Sequence, residues 1–185
     1  MDRATAFALL KEHAKGDVLI RHATAVEACM RAYARKHGQD EELWGITGML
    51  HDFDWDVCPS PEQHPQYGAS ILRQRGYPEV IVHAVLSHGN HTGVDRETIM
   101  EKTLFAVDEL SGFVTAVALV RPSKSLGDTD AASVKKKMKD KRFAATVNRD
   151  DIVQGAQEVG LDLDQHIGFV IEALKPVAEQ LGLKP

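Results

Sequence analysis

Cysteine is scarce in this chain: Cys29 and Cys58 are the only two in 185 residues. Two thiols make no disulfide framework, so a small bridge-stapled scaffold is excluded and reduced thiols are expected. Long apolar runs are also missing, and no stretch reads as a bilayer-spanning helix. Met1-Asp2-Arg3-Ala4 has neither the basic n-region nor the apolar h-region of a secretory signal. A cytoplasmic protein is expected on these grounds. Positive charge is not in excess. The net charge is -5, which gives no general reason to expect a nucleic-acid partner. Strand-like alternation is rare, and no phosphate-cradling glycine-rich loop is present. There is no internal repeat, low-complexity tract or linker. Residues 1–185 therefore read as one all-α domain, with a core of about 18–120 and covering helices of about 128–182.

Histidine, in contrast, is abundant, with nine copies. Their placement follows from the helical pattern. A short helix is expected over 4–14. Gly16-Asp17 gives a break and an N-cap, and a long helix follows to about His37, with Gly38 as its stop. In it, His22, Val26, Cys29 and Tyr33 fall on one face. Asp40-Glu41-Glu42 opens a third helix, with acids at its positive dipole end. That helix ends near His51-Asp52, and Pro59 and Pro61 break the loop beyond. His64-Pro65 starts a fourth helix, with proline at the tolerated first position. Gly68 on that helix leaves room for a close neighbour. Pro78 opens a fifth, whose inner stripe carries His88 whereas His83 points elsewhere. The sixth is long and apolar, about 96–120. Asp128 is read as the cap of a short basic helix. Two more helices are expected, at about 149–159 and 164–182.

Collected by face, His22, His51, Asp52, His64, His88 and Asp108 all point inward, and nearly every one comes from a different helix. A metal site in a helical bundle is built from side chains that converge in this way. Asp108 is the sharpest signal, because it interrupts a run that otherwise reads as core. A carboxylate buried alone costs several kcal/mol (about 3–5 when its partner is removed). A single inward histidine is more often a satisfied core residue, so only the whole set points to a metal.

His22, then His51-Asp52, then Asp108 resembles the H…HD…D pattern of the HD-domain metal-dependent phosphohydrolases. His64 and His88 resemble the extra histidines of its dinuclear members. His64-Pro65-Gln66-Tyr67-Gly68-Ala69 is similar to the H-x-x-x-G-A segment of the HDIG-type subgroup, although His51-Asp52-Phe53-Asp54 departs from HD-Ile-Gly. Towards the C-terminus, Val134 to Lys137 and Val147-Asn148-Arg149 resemble uncharacterised predicted HD hydrolases.

The resemblance implies an all-α HD bundle that holds one or two divalent ions. His22, His51, Asp52 and Asp108 would bind the first, and Asp52 would bridge to a second held by His64 and His88, which could instead bind a phosphate. His51 and Asp52 are the catalytic pair by the same token. Imidazole and carboxylate donors suit Mn, Fe, Co, Ni, Zn or Mg. The expected activity is hydrolysis of a phosphate ester or anhydride in a nucleotide or another small phosphorylated metabolite. A di-iron oxygenase and a non-catalytic, metal-loaded nucleotide-binding module are the alternatives. For substrate, His91 in the loop after His88 is a candidate contact. Arg121, Lys124 and Lys136 are candidates if the basic segment folds back over the site; otherwise they form a solvated face. Asp54 and Asp56 are expected to be solvated, Trp44 and Trp55 to pack in core and loop, and His13, His37, His83 and His166 to be structural or exposed.

Overall fold

The computed structural model describes residues 2–184. Nine α-helices run in order among the described residues: α1 Arg3–His13, α2 Asp17–His37, α3 Glu41–Leu50, α4 Gln66–Gln74, α5 Glu79–Ser87, α6 Ile99–Leu119, α7 Ala131–Met138, α8 Arg149–Glu158 and α9 Leu163–Leu174. Among the described residues there is no strand, only an isolated bridge between Ser125 and Lys184. No helix among the described residues is long and apolar enough to cross a membrane.

Most helix ends have a local cause. Asp2, Asp40 and Asp162 each accept backbone N–H bonds of the first turn that follows. Gly38 closes α2 in the left-handed region at φ 63°. Other boundaries differ from the sequence reading. Gly16, not Asp17, is the cap of α2, and Asp17 is already helical. Pro65 precedes α4 as its N-cap instead of occupying the first turn. The sixth helix starts at Ile99, because Thr98 and Glu101 form a capping box there. Asp130, three residues before Ser133, caps α7 in place of Asp128. The last helix stops at Leu174 and tightens into a 3-10 segment, Lys175–Leu181. Pro176 has no N–H for the α ladder, which accounts for the change.

Two apolar clusters hold the bundle. One joins Val26, Met30 and Tyr33 of α2 to Leu104, Val107 and Phe113 of α6 and to Ile167, Val170 and Leu174 of α9. The other joins Leu9 and Leu10 of α1 to Ile46, Met49 and Leu50 of α3, Leu72 of α4 and Ile81 and Val85 of α5. Within α2, Ala23 belongs to the second cluster and Val26 to the first. His22 therefore sits where the two meet. Glycine permits a close helix approach: a Cβ on Gly155 of α8 would lie 2.5 Å from Ala106 Cα on α6. Cys29 and Cys58 are both buried and free. Burial pushes the Cys29 thiol well above its ordinary pKa, consistent with a core role.

Candidate metal centre

Six of the inward side chains meet at the junction of the two clusters. His22 comes from the second turn of α2, and His51 and Asp52 from the end of α3. His64 lies just before α4, His88 just after α5, and Asp108 in the middle of α6. The ligand atoms fall into two groups that share Asp52: His22, His51, Asp52 and Asp108, and then Asp52, His64 and His88. Within each group they lie within 4.8 Å of one another.

The distances are those of a ligand shell. His22 Nε2 is 3.0 Å and His51 Nε2 3.3 Å from Asp108 Oδ1. The same two nitrogens are 3.6 and 3.5 Å from Asp52 Oδ2, and 3.2 Å from each other. In the second group, Asp52 Oδ1 is 3.1 Å from His64 Nε2 and 3.2 Å from His88 Nε2. Those two nitrogens are 3.3 Å apart. Nitrogen and oxygen ligands about 2.0–2.2 Å from one ion lie roughly 3–3.5 Å from one another, so the donors fit a divalent cation. Asp52 turns one oxygen towards each group.

Tautomers are fixed from behind. His51 Nδ1–H donates to Gly48 O at 2.8 Å, and His88 Nδ1–H to Val85 O at 2.6 Å. His64 Nδ1–H donates to Asp54 Oδ1, also at 2.8 Å. In each ring Nε2 is the nitrogen that faces the cluster, the arrangement seen behind metal-bound imidazoles. Asp54 is thus not a solvated acid but fully buried. Its Oδ2 accepts the Gly68 N–H at 2.8 Å. A Cβ on Gly68 would come within 2.9 Å of Asp54 Cγ, so glycine is what lets α4 close on the turn after Asp52. Asp56 remains partly exposed and accepts from Lys15 N.

The cluster's protonation follows from crowding. Burial opposes charge on His51, but Asp52 and Asp108 beside it outweigh that and hold its pKa well above the usual value. For His64, burial is likewise overcome by bonds to Asp52 and Asp54, and its pKa rises to about 9. Burial works against ionising Asp52 and Asp108, yet the charge on His51 keeps both well below the carboxylate range. A divalent ion would replace the shared protons, since ligands must deprotonate to bind.

The groups open into a cavity of about 660 Å³, lined by His22, Asp52, His64, His88 and Asp108 at its floor. Trp55 and Phe105 also line it, together with Asn90, Glu109, Asn148 and Asp151. Sequence reading overlooked these last four. Only Glu109 carried a signal, as a second acid beside Asp108 in an apolar run. Burial and the Asp108 charge raise its pKa to about 7. His91 also lines the cavity and donates from Nε2 to His64 O at 3.1 Å. Trp55 packs from its loop edge-on against His64 at 5.0 Å, remains partly exposed and also lines the cavity.

Arg121, Lys124 and Lys136 do not line this cavity. Arg121 lies beyond the C-terminus of α6, thirteen residues past Asp108, or roughly 20 Å along a helical path. With Lys136 and Lys137 it borders a separate surface depression next to Val117 and Val120. Lys124 is exposed in the turn after α6. The basic segment does not fold back because α7 is held elsewhere, with Lys135 paired to Asp164 of α9. Of the remaining histidines, His166 is buried between Tyr33 Oη and Ala106 O. His83 pairs with Glu101 at 2.9 Å. The family model described as HD domain matches residues 19–112, which span the whole six-residue cluster.

Proposed function

This chain belongs to the HD-domain family, and from that premise we propose that it is a metal-dependent phosphohydrolase. In this reading, His22, His51, Asp52 and Asp108 would hold one divalent ion, and Asp52, His64 and His88 would hold a second. The observation that carries it is the division of Asp52: one carboxylate oxygen faces each nitrogen group, with three of the four imidazoles locked from behind. Bound divalent ions supply hydroxide at neutral pH, by lowering the pKa of water from about 15.7 towards about 7, and brace the oxygens of a phosphoryl group.

The protein's own residues do the rest. Asp54 keeps His64 turned so that Nε2, not Nδ1, meets the floor of the cavity. Asn90 is held by Arg96, whose Nη2–H donates to its Oδ1 at 2.9 Å, leaving the amide N–H group to meet Asp151 at 3.0 Å. Trp55 and Phe105 make part of the wall apolar and limit water around a bound ester. A small phosphorylated metabolite, nucleotides included, is the substrate class.

The test is metal analysis of freshly purified protein, followed by anaerobic assay of phosphate esters with Mn, Co, Mg or Zn. The expected outcome is release of inorganic phosphate, abolished by Asp52→Ala. Strict dependence on iron and dioxygen would replace this reading with the di-iron oxygenase. Metal binding with no turnover in any condition would leave a binding module.

A further inference from the structure

The cavity is notable for what its wall does not carry: among the described residues, no lysine or arginine lines it. Arg21, beside His22 in sequence, lies 3.9 Å from Asp17, and Arg96 and Arg149 direct their donors to other protein groups, Asn90 Oδ1 on the cavity lining among them. Arg96 forks onto Glu158 at 2.8 Å through both Nε and Nη2 and donates to Ser87 O. Arg149 donates to the carbonyls of Phe143, Ala144 and Val147. The N-terminus of α8 borders the cavity as well, but its first N–H groups are taken. Asn148 Oδ1 accepts from Asp150 N and Asp151 N. Beside apolar Trp55 and Phe105 and the neutral Asn90 and Asn148 amides, the wall above the metal cluster therefore carries the acceptors Glu109 and Asp151. Among the described residues neither carboxylate forms an ion pair with a lysine or arginine, and Asp151 accepts from the Asn90 amide.

Charge balance turns this into a statement about substrate, resting on the two-ion phosphohydrolase reading above. Two divalent ions with Asp52 and Asp108 leave a net positive floor that one phosphate monoester, carrying about two negative charges, neutralises. Every further phosphoryl group would stand against Glu109 and Asp151 with no lysine or arginine on the lining to receive it, a like-charge contact at low dielectric. What the wall can accept is hydrogen-bond donors.

We propose that this cavity selects a phosphate monoester with a single phosphoryl group whose alcohol portion carries hydroxyl or ammonium donors, and that Glu109 and Asp151 receive those donors. The overall reaction is R–O–PO₃²⁻ plus water giving R–OH and hydrogen phosphate. The oxygen of water forms the new P–O bond, the ester P–O bond breaks with its electron pair on the leaving oxygen, and a proton from water ends on that alcohol. Glu109 and Asp151 are specificity-determining residues in this account.

Two non-hydrolysable probes test it in the metal-loaded full chain: 3,4-dihydroxybutylphosphonate and plain butylphosphonate, with affinities measured by calorimetry. The dihydroxy compound should bind at least about tenfold more tightly, the worth of a hydrogen bond to a charged group. Glu109→Leu should abolish the difference, Asp151→Asn should reduce it, and Glu109→Gln should keep part of it. Metal content and near-UV circular dichroism of each variant report that the fold is intact. In turnover, a nucleoside monophosphate should exceed its triphosphate in kcat/KM. Equal affinities for the two phosphonates, or preference for the triphosphate, in a protein that does hydrolyse phosphate esters would overturn this inference and leave the hydrolase reading standing. No hydrolysis of any phosphate ester would instead remove the reading beneath it.

Discussion

A carboxylate can serve two cations only if both of its oxygens face open donors, and Asp52 meets that condition with imidazole nitrogens on either side. Its neighbour Asp54 does a different job two residues later, holding His64 and the Gly68 N–H from a fully buried position. Removing such a partner lowers metal affinity by about 10–100-fold. Asp54→Ala should therefore weaken the second ion by about that factor and leave the first in place, as read by metal titration. Gly68→Ala should act in the same direction, because its methyl would press on Asp54 Cγ and Phe53. The six ligand-type residues were legible from type, order and helical face. Asp54 was not, because nothing in a polar turn says which acid folds back beneath a histidine.

His166 provides a test at the same scale that is independent of the metal. Burial lowers its pKa, and Nε2–H donates to Ala106 O while Nδ1 accepts from Tyr33 Oη. A histidine with a depressed folded-state pKa binds its proton more readily when unfolded. Its contribution to stability is therefore present above the unfolded value of about 6.5 and is lost as pH falls below it. His166→Leu should cost at least about 2 kcal/mol at neutral pH, by leaving two buried polar groups unpaired. It should also flatten the decline in Tm between about pH 6.5 and 5 relative to the parent. An unchanged slope would show that another group governs acid sensitivity there.

Among elements, the pairing of α6 with α8 decides how the cavity wall is placed. Gly155 on α8 meets Ala106 on α6 with no room for a side chain. Gly155→Ala must push the helices apart and should cost about 1–3 kcal/mol, measured by urea unfolding. Because Asn148 and Asp151 ride on α8, the same substitution should lower kcat/KM more than it lowers metal content. Helix identity was legible throughout from apolar periodicity and caps. Ends were missed where two acids competed for one cap, as with Asp128 and Asp130, or where a proline let the chain continue as 3-10 instead of α, as at Pro176.

In the whole molecule, the site lies between two apolar clusters that meet along α2 and are bridged by six side chains from five helices. An ion bound there ties both clusters together. Ligand linkage predicts added stability of about 2.7 kcal/mol when free metal is a hundredfold above Kd. Tm should rise on loading with Mn and fall again with a chelator. The basic residues around Arg121 and Lys136 show the limit of sequence reading at this scale. Their charge was plain, but the face on which α7 would dock depends on contacts such as Lys135 with Asp164, far apart in the chain.

The account rests on Asp52 lying between two ions, and an anomalous difference map from crystals grown with Mn addresses that directly. It predicts two peaks flanking the Asp52 carboxylate, one within bonding reach of His22, His51 and Asp108 and the other of His64 and His88. A map with no peak at either position, or with manganese bound elsewhere, would contradict it.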